Sequence, residues 1–337
     1  MSEYKIIKSK PGKEEHELFT QVPKNLYPEK SQRFHLGFEP SMLFLQGCYT
    51  LIKSEKPIGR FAFYVNPALL HEGESAGCIG SYECEESSVA TLMLINHAKQ
   101  IATELGLKWL IGPMEGSTWE SYRWSDSNEL DNFFMEPFHH SYYAEQFTET
   151  GFQKIGKYVS ALDKTMLGEE AELASWKKSF EAQGAVIRNL DTQNLREELG
   201  RIAKLSIEAF SDNFLYTPIS EEEFIAKYEK ISTLLNPEWI WIAEDKTGEP
   251  HAFLFAIPDL WDKEGKTIIL KTVARKKDSA FKGIGKFMTA SLNVKAKKQG
   301  IKQVIHAFMY DENVSSEVSE QMQTEPYKSY SLYGLKL

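Results

Sequence analysis

Residues 267–309 read TIILKTVARKKDSAFKGIGKFMTASLNVKAKKQGIKQVIHAFM, and the rest of the chain is best read outward from them. Residues 267–274 are an apolar run of strand length, rich in β-branched side chains. A basic, glycine-bearing loop follows over 275–285. Ile284, Phe287, Met288, Ser291 and Leu292 then fall at i, i+3, i+4, i+7 and i+8, one stripe of an amphipathic helix. Gly300 is placed to end that helix as a C′ glycine. Residues 304–308 form a second apolar run, the next strand. Strand, helix and strand in this order are the βαβ signature of a parallel pair.

The loop has the chemistry of an anion site. A helix N-terminus presents unpaired backbone N–H groups and the positive end of the helix dipole. Gly283 and Gly285 carry no Cβ to hold a phosphate away. Lys271, Arg275, Lys276, Lys277, Lys282 and Lys286 stand against one acid, Asp278, in a chain whose net charge is -9. A GxG alone is often an ordinary turn, and a basic run alone is usually a solvated face. The full order of strand, basic loop, GxG, helix and strand is more specific.

The segment KGIGKFMTASLNVKAKKQGIKQVIHAF (282–308) resembles the central acyl-CoA-binding motif of the GNAT acyltransferase superfamily. In that family the loop backbone holds the pyrophosphate of coenzyme A, and the preceding strand hydrogen-bonds the pantetheine arm. Carried onto this chain, the resemblance places the cofactor on Leu270, Thr272 and Val273 of the strand. It adds Lys282, Gly283, Ile284, Gly285 and Lys286 of the loop, and Asn313 beyond the second strand. The chain departs from the family pattern Arg/Gln-x-x-Gly-x-Gly/Ala by carrying Ala280 at the first position. The loop is also about two residues longer than usual between Val273 and Gly283, and Lys282 is placed to supply the missing charge.

The pattern recurs earlier. Residues 76–84 read as a strand, and Ser87 or Ser88 can cap a helix bearing Leu94, Ala98, Ile101 and Leu105. Gly106 stops that helix and 108–111 follow as a strand. Here the loop is Cys84-Glu85-Glu86-Ser87-Ser88, without glycine and with two carboxylates that would repel a pyrophosphate. Before it, 4–8 reads as a strand, 14–26 as helix and loop, and 42–45, 48–53 and 58–65 as strands, the last ending at Asn66-Pro67. Residues 112–119 and 141–156 also resemble GNAT segments. Between them, the aromatic-rich loop 115–140 is either functional or a surface excursion.

Further on, helices are expected over 169–183, 195–210 and from the Ser220 cap to about 235. Strands are expected over 186–190, 239–244 and 251–257, with a last helix and an alternating strand in 313–337. This tail resembles the end of a group of tandem GNAT proteins. The expected fold is therefore α/β, with a mixed α+β sheet, as two GNAT-like acyl-CoA N-acyltransferase domains in tandem. Their expected bounds are 1–165, degenerate for coenzyme A, and 166–337, which binds it.

Composition narrows the function. A chain of 337 residues accommodates two domains, and a pI near 5.5 argues against nucleic-acid binding. Cys48, Cys78 and Cys84 lack zinc-ligand spacing and read as reduced core thiols, and His139-His140 has no accompanying ligand set, so no metal is expected. No stretch has the length of a membrane helix and the N-terminus has no signal-peptide core, so a cytoplasmic protein without membrane partners is expected.

The resemblance implies acyl transfer from an acyl-CoA, acetyl-CoA first, to the amine of a small molecule or peptide. Such a protein must position the thioester, take a proton from the amine and stabilise an oxyanion. A backbone N–H near 270–273 would serve the oxyanion. His306 is the candidate base because its ordinary pKa lies near neutrality, although a packed strand histidine is the plainer reading; Glu244 and Asp259 are weaker choices. The family's general acid is a Tyr seven residues beyond an Asn, but seven beyond Asn313 stands Glu320. Tyr330 and Tyr333 of the last strand are the substitutes, or else ordinary strand aromatics. Asp212, Asn213, Phe214 and Tyr216 either line an acceptor pocket or form a turn. The alternatives are a non-catalytic acyl-CoA-binding or scaffolding protein, and a tandem GNAT transferase using another donor, such as an aminoacyl-tRNA.

Overall fold

The second to fourth strands are buried on both faces through their middles, whereas the first is mostly half-buried or exposed. The computed structural model of the protein describes residues 4–311, 319 and 322–337. β1 (Tyr4–Ser9), β2 (Leu45–Lys53), β3 (Lys56–His71) and β4 (Glu74–Cys84) pair antiparallel in sequence order, with α1 (His16–Leu26) between the first two in the chain. Tyr49, Leu51, Phe61 and Phe63 share a core with Leu94, Ile95 and Ala98 of α2 (Ser88–Glu104). β3 runs past the expected stop at Pro67. Its pairing with β4 is interrupted between Val65 and Leu70, so the missing proline N–H falls where no ladder bond is required. β4 pairs parallel with β5 (Trp109–Gly112), and α2 is the crossover between them.

β6 (Trp124–Ser125), α3 (Tyr143–Glu149) and β7 (Gln153–Asp163) follow, then α4 (Glu170–Ala182), β8 (Val186–Asn189), α5 (Leu195–Ala209) and α6 (Glu221–Glu229). α6 opens with a capping box between Ser220 and Glu223. It ends at Glu229, short of the expected 235, and a 3-10 turn over Ser232–Leu234 replaces its last turn ahead of Asn236-Pro237. β9 (Ile240–Glu244), β10 (Pro250–Pro258) and β11 (Thr267–Arg275) pair antiparallel in order. α7 (Ile284–Lys298) then crosses to β12 (Gln303–Tyr310), which is parallel to β11. β13 (Glu325–Lys336) ends the chain. The helix expected near 313 and Asn313 itself lie outside the described residues.

The chain divides into two units. The first takes residues up to Lys157, with Phe214–Thr217 and Ser329–Leu337. Its strands run β1-β2-β3-β4-β5-β13, with β6 also on β13. The second takes Tyr158–Asn213 and Pro218–Lys328, with strands in the order β8-β9-β10-β11-β12 and then the end of β7. Each unit thus repeats an antiparallel meander followed by one parallel βαβ step. The expected split at 165 kept the whole tail with the second domain, whereas here Ser329–Leu337 complete the first unit. Among the described residues no helix is long and apolar enough to cross a membrane.

Candidate functional site

In the second unit, β11 and β12 begin as partners and then separate. Pairing runs from Thr267↔Gln303 to Leu270↔His306 and stops there, although β11 continues to Arg275 and β12 to Tyr310. Beyond this vertex the two strands no longer satisfy each other's backbone groups. β11 changes character at the same place. Thr267–Leu270 is buried, while Lys271, Thr272 and Val273 are half-buried. Both arms are also irregular on their outer sides. β10 opposes Leu270 with Ala256 and Thr272 with Phe255, leaving Lys271 as the extra residue of a bulge. β12 pairs with β7 at His306↔Ala161 and resumes at Met309↔Val159. Phe308, within that interruption, has φ 61°. The Lys271 Nζ lies 4.2 Å from the centroid of the Phe308 ring.

The loop from β11 to α7 is pinned from below. Ser279 is buried, its Oγ accepts the Phe281 N–H at 3.2 Å, and it lies 3.1 Å from His251 Nδ1. Phe281 joins Ile284, Phe287 and Met288 in the core of this unit. α7 then starts from Gly283 in the left-handed region (φ 83°) with no side-chain cap. The two glycines serve different ends. A Cβ on Gly283 would meet nothing within 4 Å, so that side is open. A Cβ on Gly285 would come within 3.2 Å of Val273 Cγ1, so its absence lets the helix start against β11.

Among the described residues, the N–H groups of Gly283, Gly285 and Lys286 make no backbone hydrogen bond. Exposed Lys282 and Lys286 flank them and form no ion pair among the described residues. Two other cations of the expected anion loop are already engaged. Lys276 Nζ bonds Glu249 at 2.5 Å, and Lys277 Nζ bonds Asp212 at 2.6 Å.

The corresponding place in the first unit is occupied by the protein itself. Ser87 Oγ accepts the Ala90 N–H at 3.3 Å and caps α2, with Glu85 and Glu86 just before it. β4 and β5 separate after Cys78↔Ile111. Farther along β4, Tyr142 OH donates to the Cys84 carbonyl at 3.0 Å, and the Cys84 N–H reaches Tyr143 OH at 3.4 Å.

The proposed catalytic side chains fall in different units, His306 in the second and Tyr330 and Tyr333 in the first. His306 is 4% exposed, on the same face of β12 as Val304, which packs with α7. Its Nε2 lies 3.9 Å from Asp163 Oδ2, which accepts from Asn293 Nδ2 at 2.9 Å. Burial pushes the imidazole pKa down to about 4. Burial raises Glu244, but hydrogen bonds from Arg188 and Arg201 outweigh it and hold that carboxyl below its usual range. Asp259 is nearly buried, and its Oδ1 accepts the Trp261 N–H at 3.0 Å.

Tyr330 and Tyr333 belong to the core of the first unit. Tyr330 OH donates to Glu136 at 2.9 Å, and burial pushes Tyr333 up to about 12. Leu270, Thr272, Val273, Lys282, Gly283, Ile284, Gly285 and Lys286 do come together, around the vertex and the start of α7. Asn293 and Asp163 were not anticipated from the sequence. The available signal was a polar residue at 293 between Thr289 and Ala296 on a buried face. Among the described residues no group of three or more His, Cys, Asp or Glu is placed to hold a metal.

No family model matches the sequence, and no curated protein does. Solved structures match it over its whole length. A tandem GNAT protein from the clavulanic acid biosynthesis pathway is 10% identical over 99% of this chain and 98% of its own, with a TM-score of 0.56. A GCN5-related N-acetyltransferase from Sphaerobacter thermophilus is 9% identical over 98% of this chain and 95% of its own, at 0.55. The GCN5-related glucosamine N-acetyltransferase region of a fungal multi-domain GH3 β-N-acetylglucosaminidase is 12% identical over 99% of this chain, at 0.60, and the match spans 38% of that larger protein. At these identities the likeness is one of fold. The chain has the GNAT fold, with two GNAT-like units in tandem.

Proposed function

We propose that the protein is an acyl-CoA-dependent N-acyltransferase that binds the acyl-CoA on its second unit. The observation that carries this reading is the uncapped, glycine-fronted start of α7 beside the separating edges of β11 and β12. A diphosphate suits the free N–H groups of Gly283, Gly285 and Lys286, with Lys282 and Lys286 adding charge. The pantetheine arm carries two amides, and an exposed strand edge at Thr272 and Val273 can hydrogen-bond them as it would an added strand. The thioester then lies toward Leu270 and His306, where a backbone N–H beyond the vertex serves as oxyanion donor. A group with pKa about 4 does not suit removal of a proton from an ammonium at neutral pH, so His306 enters this reading as a neutral neighbour of the acyl group. Tyr330 and Tyr333 receive no role. The first unit, with its helix capped by Ser87, is not given a cofactor.

The donor is taken to be acetyl-CoA and the acceptor an amine of a small molecule or peptide. The test is a thermal shift with acetyl-CoA on wild type and on Gly283→Asp, which sets a carboxylate in the open space before α7. A ligand at about 100 times its Kd stabilises the unit it binds by roughly 2.7 kcal/mol. That corresponds to several degrees in a domain of ordinary size. A shift present in wild type and absent in the variant is expected. No shift in wild type at millimolar acetyl-CoA would overturn the reading.

A further inference from the structure

One histidine joins the anion loop to the turn between β9 and β10. His251, near the start of β10, meets the loop twice. Its carbonyl accepts the Lys276 N–H at 2.8 Å, and its Nδ1 lies 3.1 Å from Ser279 Oγ. Its ring packs on that of Phe281, with centroids 4.9 Å apart. On the other side its Nε2 lies 3.6 Å from Asp245 Oδ2. Serine, histidine and aspartate in a row are the side chains of a hydrolytic triad. Here, however, Ser279 is 4% exposed and its Oγ is already taken by the Phe281 N–H, so no nucleophile is presented. The row is built to hold the loop.

The hydrogens give the row a direction. Asp245 Oδ1 accepts from the Thr247 N–H at 2.8 Å, the Thr247 hydroxyl at 2.7 Å and the Glu249 N–H at 3.0 Å, which leaves Oδ2 to face the imidazole. These bonds, the Thr247 hydroxyl first, hold the carboxyl down to about 2, so it is an anion. At 3.6 Å it is too far for a hydrogen bond, but its charge favours the tautomer with the proton on Nε2. Nδ1 then keeps its lone pair and accepts the Ser279 hydroxyl. With its hydrogen turned to Nδ1, Ser279 Oγ presents a lone pair to the Phe281 N–H at 3.2 Å. The Phe281 carbonyl accepts the Ile284 N–H at 3.2 Å, and its ring is buried. Asp245 thus sets His251, His251 sets Ser279, and Ser279 sets the turn that leads to Gly283 and the N–H groups of Gly285 and Lys286.

We propose that His251 is a positioning residue for the diphosphate of the acyl-CoA, acting through Ser279. This rests on the acyl-CoA reading above. Backbone donors hold an anion well when they are already turned toward it, because binding then costs little ordering. The part of His251 is to keep the loop in that state before the ligand arrives.

The test measures coenzyme A binding to the full chain by calorimetric titration, in wild type, His251→Asn, His251→Phe and Ser279→Ala. Asparagine carries an acceptor oxygen where histidine carries Nδ1. Phenylalanine keeps a ring against Phe281 and has no acceptor. The expected result is a loss of about fivefold or more in His251→Phe and Ser279→Ala, the effect of one neutral hydrogen bond, with His251→Asn within about twofold of wild type. Inorganic pyrophosphate, used as a competitor, should lose by the same factor, while pantetheine, which has no diphosphate, should not. Nitrogen-15 shifts of the neutral His251 ring in wild type should place its proton on Nε2. Unchanged coenzyme A binding in His251→Phe, an equal loss in His251→Asn, a loss shared by pantetheine, or a ring proton on Nδ1 would each overturn the role of His251 alone. Failure of wild type to bind coenzyme A would overturn the acyl-CoA reading itself, and this role with it.

Discussion

His306 shows how burial sets the chemistry of one residue. An unfolded histidine titrates near about 6.5. In the fold, burial pushes His306 down to about 4. Between those values the unfolded chain binds the proton more readily. The stability contributed by the neutral ring is therefore whole above the unfolded pKa and is lost as the pH falls toward the folded one. Asp163 works in the opposite sense. Burial raises its pKa, so the native carboxyl takes up a proton first and offsets part of the loss at the acid end. We expect His306→Gln to flatten the acid-side fall in stability of the second unit, by about 3 kcal/mol at most. Melting curves of both proteins from pH 7 to 4 check this, and a wild-type profile as flat as the variant's would contradict a buried neutral imidazole. The sequence showed an imidazole on a strand. A packed strand histidine was already the plainer reading, but its neighbours were not legible, because Asp163 and Asn293, which share the site, come from two other elements.

The starts of α2 and α7 make the same comparison for elements. Ser87 and Gly283 were both legible as helix starts, because a cap is a property of neighbouring residues. The bulges at Lys271 and near Phe308 were not legible, because a bulge belongs to the register of two strands and not to either run alone. The same limit hid the state of the basic loop. Composition counts charges, but only the fold shows that Lys276 and Lys277 already face Glu249 and Asp212. Hence Lys282→Glu with Lys286→Glu should weaken coenzyme A binding by at least about tenfold with little change in Tm, since both side chains are exposed. Lys277→Glu should weaken it far less. Equal losses from the two variants in a calorimetric titration would argue against an anion held at the start of α7. Ser87→Ala should instead lower the stability of the first unit by about 1 kcal/mol and leave coenzyme A binding unchanged.

At the scale of the molecule, the end of the chain completes the beginning. The alternation in SYSLYGLKL was legible as a strand, but a period of two names no partner. Ser329–Leu337 belong to the first unit, and Tyr333, Gly334, Leu335 and Lys336 pair with Gly112, Ile111, Leu110 and Trp109 of β5. Gly334 is fitted to this place, since a Cβ there would come within 2.9 Å of Ile155 Cγ2. Tyr330, Leu332 and Tyr333 are almost wholly buried. At about 1.5–3 kcal/mol for each large buried side chain, their removal takes away much of the roughly 5–15 kcal/mol that holds a domain folded. A chain ending at Lys328 should therefore lose order in its first unit while the second still melts as a unit. A fragment of residues 1–165 should gain a cooperative melt only when 329–337 is fused to its C-terminus. Hydrogen exchange at Trp109–Gly112 reads this directly, because these amides lie on the strand that β13 covers. Full protection of that strand in the shortened chain would mean that the first unit stands without its distant last strand.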